Sequence, residues 1–268
     1  DTPVNRAVLG AALGVSLRRS IGDRIVEADI SINPDKTWST IESTDKGIDN
    51  LLDVVLRELG HNWFLGHTIL RDASMYFQGG AFDFGFNSLS WDDIAGINVG
   101  YPLPGMDQIT GIISGRVTMM GAPVFGAFVV AVDEYGVSVA SAITLTDGAY
   151  RLQFLPKGMY SLYVEPLDGP MTPNNVTGGI FSSTPMVTNF LPAFYRLSLE
   201  PTVAVDGDVI GIDFDVVSGN SAVDPLFVGT DFDTMESSLT SLNATAFQGL
   251  DTNVVVRGNG VGSLLPAQ

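Results

Sequence analysis

The sequence predicts a multidomain α+β chain in which a mixed α/β part is followed by an all-β, prealbumin-like sandwich. Three observations carry this expectation. Leu52, Val55, Leu56 and Leu59 recur at helical spacing behind two β-like runs. Five short apolar runs separated by turn residues then follow between positions 109 and 165, the rhythm of a sandwich. Between the two patterns lies Tyr101-Pro102-Leu103-Pro104-Gly105, and two prolines with a glycine mark a seam because proline ends regular structure. A length of 268 residues suits two modules plus remnants. The expected division is 1–101, a linker at 102–108, a β-sandwich at 109–217, and a linker with the start of a further β module at 218–268.

Composition narrows the function classes. Thirty acidic residues against thirteen basic ones give a net charge of -17, which repels nucleic acid and anionic membrane surfaces. Hydrophobic residues at 45% and charged residues at 16% are enough for ordinary cores. The absence of cysteine excludes disulfides, thiolate metal sites, iron–sulfur clusters and cysteine nucleophiles. No apolar stretch reaches the length of a membrane span, and Asp1 to Gly10 lack the basic start and apolar centre of a signal peptide. The expectation is a mature chain or a fragment.

In order along the chain, Val8–Leu17 and Arg24–Asn33 read as strands, the second alternating Ile25, Glu27, Asp29 and Ser31 against Val26, Ala28, Ile30 and Ile32. A polar, turn-rich stretch runs from Asn33 to Asn50. The helix Leu51–Leu59 has Asp49 or Asn50 placed to cap it and Gly60 close to its end. Ser90-Trp91-Asp92-Asp93 announces a second short helix, in which Ser90 and Asp93 can cap each other's amides. After the seam, strands are expected at Ile109–Met119, Gly126–Asp133, Ser138–Thr144, Ala149–Phe154, Met159–Glu165, Thr202–Val205, Val209–Val217 and Asn253–Arg257. The stretch Asp168–Phe190 reads as a long, solvent-exposed loop.

The two histidines of the chain, His61 and His67, both follow the first helix closely. Val54-Val55-Leu56-Arg57-Glu58-Leu59-Gly60-His61-Asn62-Trp63-Phe64-Leu65-Gly66-His67 resembles the zinc-binding stretch of the metzincin metalloproteases, specifically the matrixins, H-E-x-x-H-x-x-G-x-x-H. In that pattern two imidazoles at i and i+4 share a helical face, the Glu after the first deprotonates zinc-bound water, and a glycine turns the chain so that a third imidazole returns. Three further stretches are similar to the family in the right order: Ile25–Ile30 with Asn33-Pro34 to the preceding strand, Asp72-Ala73-Ser74-Met75-Tyr76 to the Met-turn, and Leu89–Ile97 with Tyr101 to the closing helix. The resemblance implies Glu58 as general base, His61 and His67 as metal ligands, and Met75 as the residue beneath the site. It also implies that an acid at Asp92 or Asp93 ties down the start of the chain.

Two positions depart from the family. Arg57 stands at the first ligand position, and a guanidinium that is always protonated has no lone pair for a metal. Phe64 stands at the turn glycine, where a side chain does not relax into positive φ. The remaining ligand set would be His61 and His67, helped by a carboxylate such as Asp72. Read without the family, Glu58 is a helical carboxylate that Arg57 can neutralise, and Met75 is core filling.

The β half is similar to the carboxypeptidase regulatory-like sandwich, through Ile113-Ser114-Gly115-Arg116-Val117, Gly121–Ala127, Thr146-Asp147-Gly148-Ala149-Tyr150 and Leu155-Pro156-Lys157-Gly158-Met159-Tyr160. Tyr150 and Tyr160 are expected to pack at strand ends. Asp206-Gly207-Asp208 and Asp231-Phe232-Asp233 offer hard oxygen ligands for calcium without EF-hand spacing. Asn175-Val176-Thr177 and Asn243-Ala244-Thr245 match the N-glycosylation acceptor pattern.

Together these resemblances imply a secreted or cell-surface protein of bacterial type: a matrixin-like zinc metalloendopeptidase that hydrolyses peptide bonds with metal-activated water. Its degraded ligand set leaves it weak or inactive. The alternative is a catalytically dead pseudoprotease that binds peptide or acts as a scaffold, and a purely structural adhesion protein is a third reading. Expected partners are a protein or peptide substrate and other modules of a longer chain, without nucleic acid or membrane insertion.

Overall fold

The computed structural model describes residues 9–22, 24–40, 48–70, 72–77, 88–169, 171–176, 179–197, 202–219, 257–258 and 261–262. The chain divides into two compact units, Asp1–Thr68 with Asp72–Gly100, and Ile69–Arg71 with Tyr101–Gln268. An α+β region is thus followed by β-rich, sandwich-like sheets.

In the first unit, β1 (Gly14–Ile21) and β2 (Arg24–Ile32) form an antiparallel hairpin. β1 starts at Gly14 rather than Val8, because Gly10 adopts φ +51° and the Ala12 amide closes a turn on the Leu9 carbonyl at 2.9 Å. Arg19 pairs with Glu27 and Ser20 with Ile25, so a bulge at Val26 interrupts the expected alternation. The polar stretch expected to be turn-rich contains two short parallel strands, β3 (Thr37–Ser39) and β4 (Ile48–Asn50).

Asn50 ends β4 and caps α1 (Leu51–Asn62), its Oδ1 accepting from the Leu52 amide at 2.9 Å. The face of α1 that packs inward differs from the expected leucine stripe. Val54, Glu58, Gly60 and Asn62 are buried, whereas Leu52 and Leu59 are exposed. Close approach of β1 is the reason: a Cβ on Gly14 would meet Val54 Cγ1 at 2.9 Å and Glu58 Cγ at 3.0 Å. Further along, α2 (Trp91–Gly100) begins with the expected reciprocal cap. Ser90 Oγ accepts from the Asp93 amide at 3.2 Å, and Asp93 Oδ2 accepts from the Ser90 amide at 2.9 Å.

In the second unit, α3 (Met106–Ile109) lies mostly in the expected linker, takes the first residue of the first expected run, and leads into β5 (Thr110–Met119). β6 (Ala122–Pro123), β7 (Phe128–Asp133), β8 (Ser138–Ile143), β9 (Ala149–Pro156) and β10 (Gly158–Glu165) then follow close to the expected runs. β11 (Ala193–Phe194), β12 (Val203–Val205), β13 (Val209–Ile210) and β14 (Phe214–Val216) complete two five-stranded sheets. One sheet runs β11-β10-β7-β8, with β12 also on β10; the other is built around β5, which pairs with β6, β9, β13 and β14. Ile113, Val117, Leu152, Leu155 and Leu162 form its fully buried core.

Two expectations for this unit are corrected. The run Val209–Val217 is not one strand. Gly211, at φ +78°, breaks it into β13 and β14, both parallel to β5, while Asp213 Oδ1 accepts the Arg116 amide at 2.8 Å in place of a ladder bond. The stretch Asp168–Phe190 is anchored, because Met171 and Phe190 are buried and Phe181 stacks on Phe125 at 5.6 Å. Tyr150 and Tyr160 do lie at strand ends, donating to the carbonyls of Ile212 at 2.6 Å and Pro156 at 2.7 Å.

The described remainder of the chain is a two-stranded pair, β15 (Arg257–Gly258) with β16 (Val261–Gly262). Asp231-Phe232-Asp233, Asn243-Ala244-Thr245, Thr177 and most of the expected strand Asn253–Arg257 lie outside the described residues.

Candidate functional site

α1 carries Arg57, Glu58 and His61 along its last two turns, and the chain then turns sharply through Trp63-Phe64-Leu65. Phe64 makes that turn with φ +68°, the left-handed conformation that the sequence identifies as awkward for a side chain. The amides of Phe64 and Leu65 close on the carbonyls of His61 and Gly60 at 3.1 and 3.0 Å. The return is therefore rerouted without being lost: the rings of His61 and His67 lie 5.1 Å apart in an edge-on arrangement.

His61 Nδ1 lies 3.0 Å from the Leu65 carbonyl. A carbonyl only accepts, so Nδ1 carries the proton and the lone pair is on Nε2. Burial holds the His61 pKa below its usual value; the Leu65 carbonyl opposes this, Arg57 and Arg18 add to it, and Glu58 offsets it.

Glu58 is 5% exposed and turned toward β1. Ser16 Oγ is 2.7 Å from Glu58 Oε2 and 2.6 Å from the Glu58 carbonyl oxygen, so one hydroxyl sits against both the side chain and the backbone of this residue. Arg57 does not turn to Glu58 as a hydrogen-bond partner. Its Nη1 donates to the Tyr76 carbonyl and its Nη2 donates to the Phe77 carbonyl at 3.2 Å. Burial lowers the Arg57 pKa, and the charges of Glu58 and Asp93 counteract this.

The turn that receives Arg57 is fixed from two other sides. Met75 is buried under α1 at Gly60, where a Cβ would collide with its sulfur. Asp93, almost fully buried, accepts from the amides of Ser74 at 2.8 Å and Met75 at 3.2 Å. Asp93 thus secures the methionine turn, while residues 1–8, the start of the chain that the resemblance ties to an acid here, lie outside the described residues. Beside the turn, Leu65 packs against both Gly60 and Gly96.

These residues do not fit a zinc ion. The first ligand position holds a guanidinium committed to two carbonyls. Asp72 does not complete the set: among the described residues, no group of three or more His, Cys, Asp or Glu side chains could hold a metal. For calcium, Asp206 is paired with Lys157 at 2.7 Å.

Three functional contacts have weak sequence signals. Ser16 and Arg18 alternate on β1 and both face α1, Ser16 reaching Glu58 and Arg18 reaching Phe64, with its guanidinium carbon 4.2 Å from the ring centroid. The period-two spacing was the available clue. Nothing local identifies Tyr76 and Phe77 as the acceptors of Arg57, since those contacts close a long loop.

Residues 16–102 match the family model described as Matrixin. No curated protein matches the chain. Among solved structures, the chain is similar to a candidate carbohydrate binding protein from Bacteroides uniformis, at 18% identity and a TM-score of 0.27, covering 41% of this chain and 42% of that one. It is also similar to a type II cohesin–X-dockerin complex from Acetivibrio cellulolyticus, at 14% identity and a TM-score of 0.22, covering 38% of this chain and 53% of that one. The chain therefore spans about half, or less, of the solved chains that it matches.

Proposed function

We propose that the matrixin domain of this chain binds polypeptide without metal-dependent hydrolysis, as a secreted or cell-surface pseudoprotease. The observation that carries this reading is the engagement of Arg57 with the Tyr76 and Phe77 carbonyls. It puts a fixed positive charge at the first ligand position, where a cation would be repelled. Glu58 adds support, because its carboxylate is held by Ser16 at one of the two oxygens that could take a proton from water.

The hydrolytic reading has its own support in the survival of Glu58, His61, His67 and the Met75 packing. Elemental analysis of the dialysed protein separates the two. Less than a tenth of an equivalent of zinc is expected, and stoichiometric zinc with casein or gelatin cleavage by the parent chain would overturn the binding reading. The double variant Arg57→His with Phe64→Gly is expected to take up zinc.

A further inference from the structure

We infer that Arg18, stacked on Phe64 beside the exposed Trp63, is a recognition group for the free α-carboxylate at the C-terminus of a peptide whose last side chain is apolar. This rests on the peptide-binding reading and names the chemistry its ligand carries.

The chain has more than twice as many acidic residues as basic ones, and the neighbouring arginines of β1 differ in their partners. Arg19 is paired with Glu27 at 2.9 Å. Arg18 is exposed and differs: among the described residues, no carboxylate, carbonyl or hydroxyl accepts from its guanidinium, whose contact is the Phe64 ring at 4.2 Å. Strand alternation explains the separation. Arg19 and Glu27 project from the face of the hairpin opposite Ser16 and Arg18, so the acids paired along β2 do not reach across.

Stacking leaves the edge of a guanidinium, with its paired N–H donors, directed outward, and that edge matches the two oxygens of a carboxylate. The ring restricts the arginine before any ligand arrives, which reduces the entropy lost on binding. Phe64, under the guanidinium, is 55% exposed and Trp63, its neighbour in the chain, is 45% exposed, so apolar surface is available at this turn. A second guanidinium, Arg57, has its Nη donors turned to carbonyls, and its charge acts on His61 in the same sense as that of Arg18, with Glu58 opposing both. A chain of net charge -17 repels polyanions, which selects a ligand with one carboxylate and apolar neighbours over a phosphorylated or polyacidic one.

The test is calorimetric titration of the full chain with three hexapeptides of one apolar sequence ending in leucine: the free acid, the C-terminal amide, and the amide with an internal glutamate. The free acid is expected to bind about ten- to a hundred-fold more tightly than either amide, the range of a charge-assisted hydrogen-bonded pair. Arg18→Gln should abolish that preference while leaving the amide affinity unchanged, with a fall in melting temperature no larger than loss of the Phe64 stack produces. Equal binding of acid and amide, or a preference that survives Arg18→Gln, would overturn the inference and leave peptide binding standing. Equal binding of the free acid and the glutamate amide would overturn the terminal assignment. Failure of all three peptides to bind would remove the peptide-binding reading, and this inference with it.

Discussion

Gly60 and Met75 occupy one shared volume: the sulfur of Met75 lies where a side chain on Gly60 would begin. The methionine turn can pack against α1 only while position 60 has no Cβ. Gly60→Ala should therefore destabilise the first unit by about 1–3 kcal/mol through overpacking. Gly66→Ala, where a Cβ meets nothing within 4 Å, is the control and should change little. Denaturant titration of the two variants checks the difference.

Arg57→Ala should lower stability by about 1–3 kcal/mol, because it leaves the Tyr76 and Phe77 carbonyls without their donor. Arg57→Lys should recover only part of the loss, since a single ammonium does not reproduce the planar fork. Thermal melts report both variants, and the parent melt should be the same with and without EDTA. A fall in melting temperature with EDTA would contradict the role given to the guanidinium.

Phe64 combines a strained φ of +68° with the Arg18 stack. Phe64→Gly relieves about 1 kcal/mol of backbone strain and forfeits a stack of about the same size, so its net effect should be small. Phe64→Ala keeps the strain and loses the stack. It should be the less stable of the two by about 1 kcal/mol, an order that equilibrium unfolding resolves.

The β-sandwich should weaken in alkali. Burial, with Asp133 assisting, pushes the Tyr160 pKa up to about 12, against 10.0 for a free tyrosine. A raised folded-state value means that the unfolded chain gives up the proton first. The stabilisation is complete below pH 10 and disappears as pH rises through about 12. Tyr150 and Tyr163 are shifted the same way by burial. Urea unfolding at pH 9 and pH 11.5 should show the loss, and Tyr160→Phe should make its pH dependence shallower.

Local signals read well from the sequence. Asn50 and the Ser90–Asp93 pair cap their helices through contacts no more than three residues apart, and the strand runs of the β half carry their own turn residues. What was hidden depends on distant partners. The inward face of α1 is set by Gly14 and Ser16, 42 residues from Glu58 in the latter case, so counting leucines selects the wrong stripe. The anchoring of Asp168–Phe190 likewise comes from Phe125 and from burial of Met171 and Phe190, none of which shows as periodicity. At the site, the Arg57 and Phe64 departures were legible as residues, whereas the carbonyls that receive Arg57 emerge only in three dimensions.

The Arg116–Asp213 contact joins positions 97 residues apart, and β14 beside it is parallel to β5. During synthesis, β5 leaves the ribosome long before these partners are made, so one flank of a central strand must wait unzipped. A nascent chain arrested before Val203 would offer that flank to neighbouring polypeptides, which makes the late segments guards against misassembly as well as parts of the finished sheet.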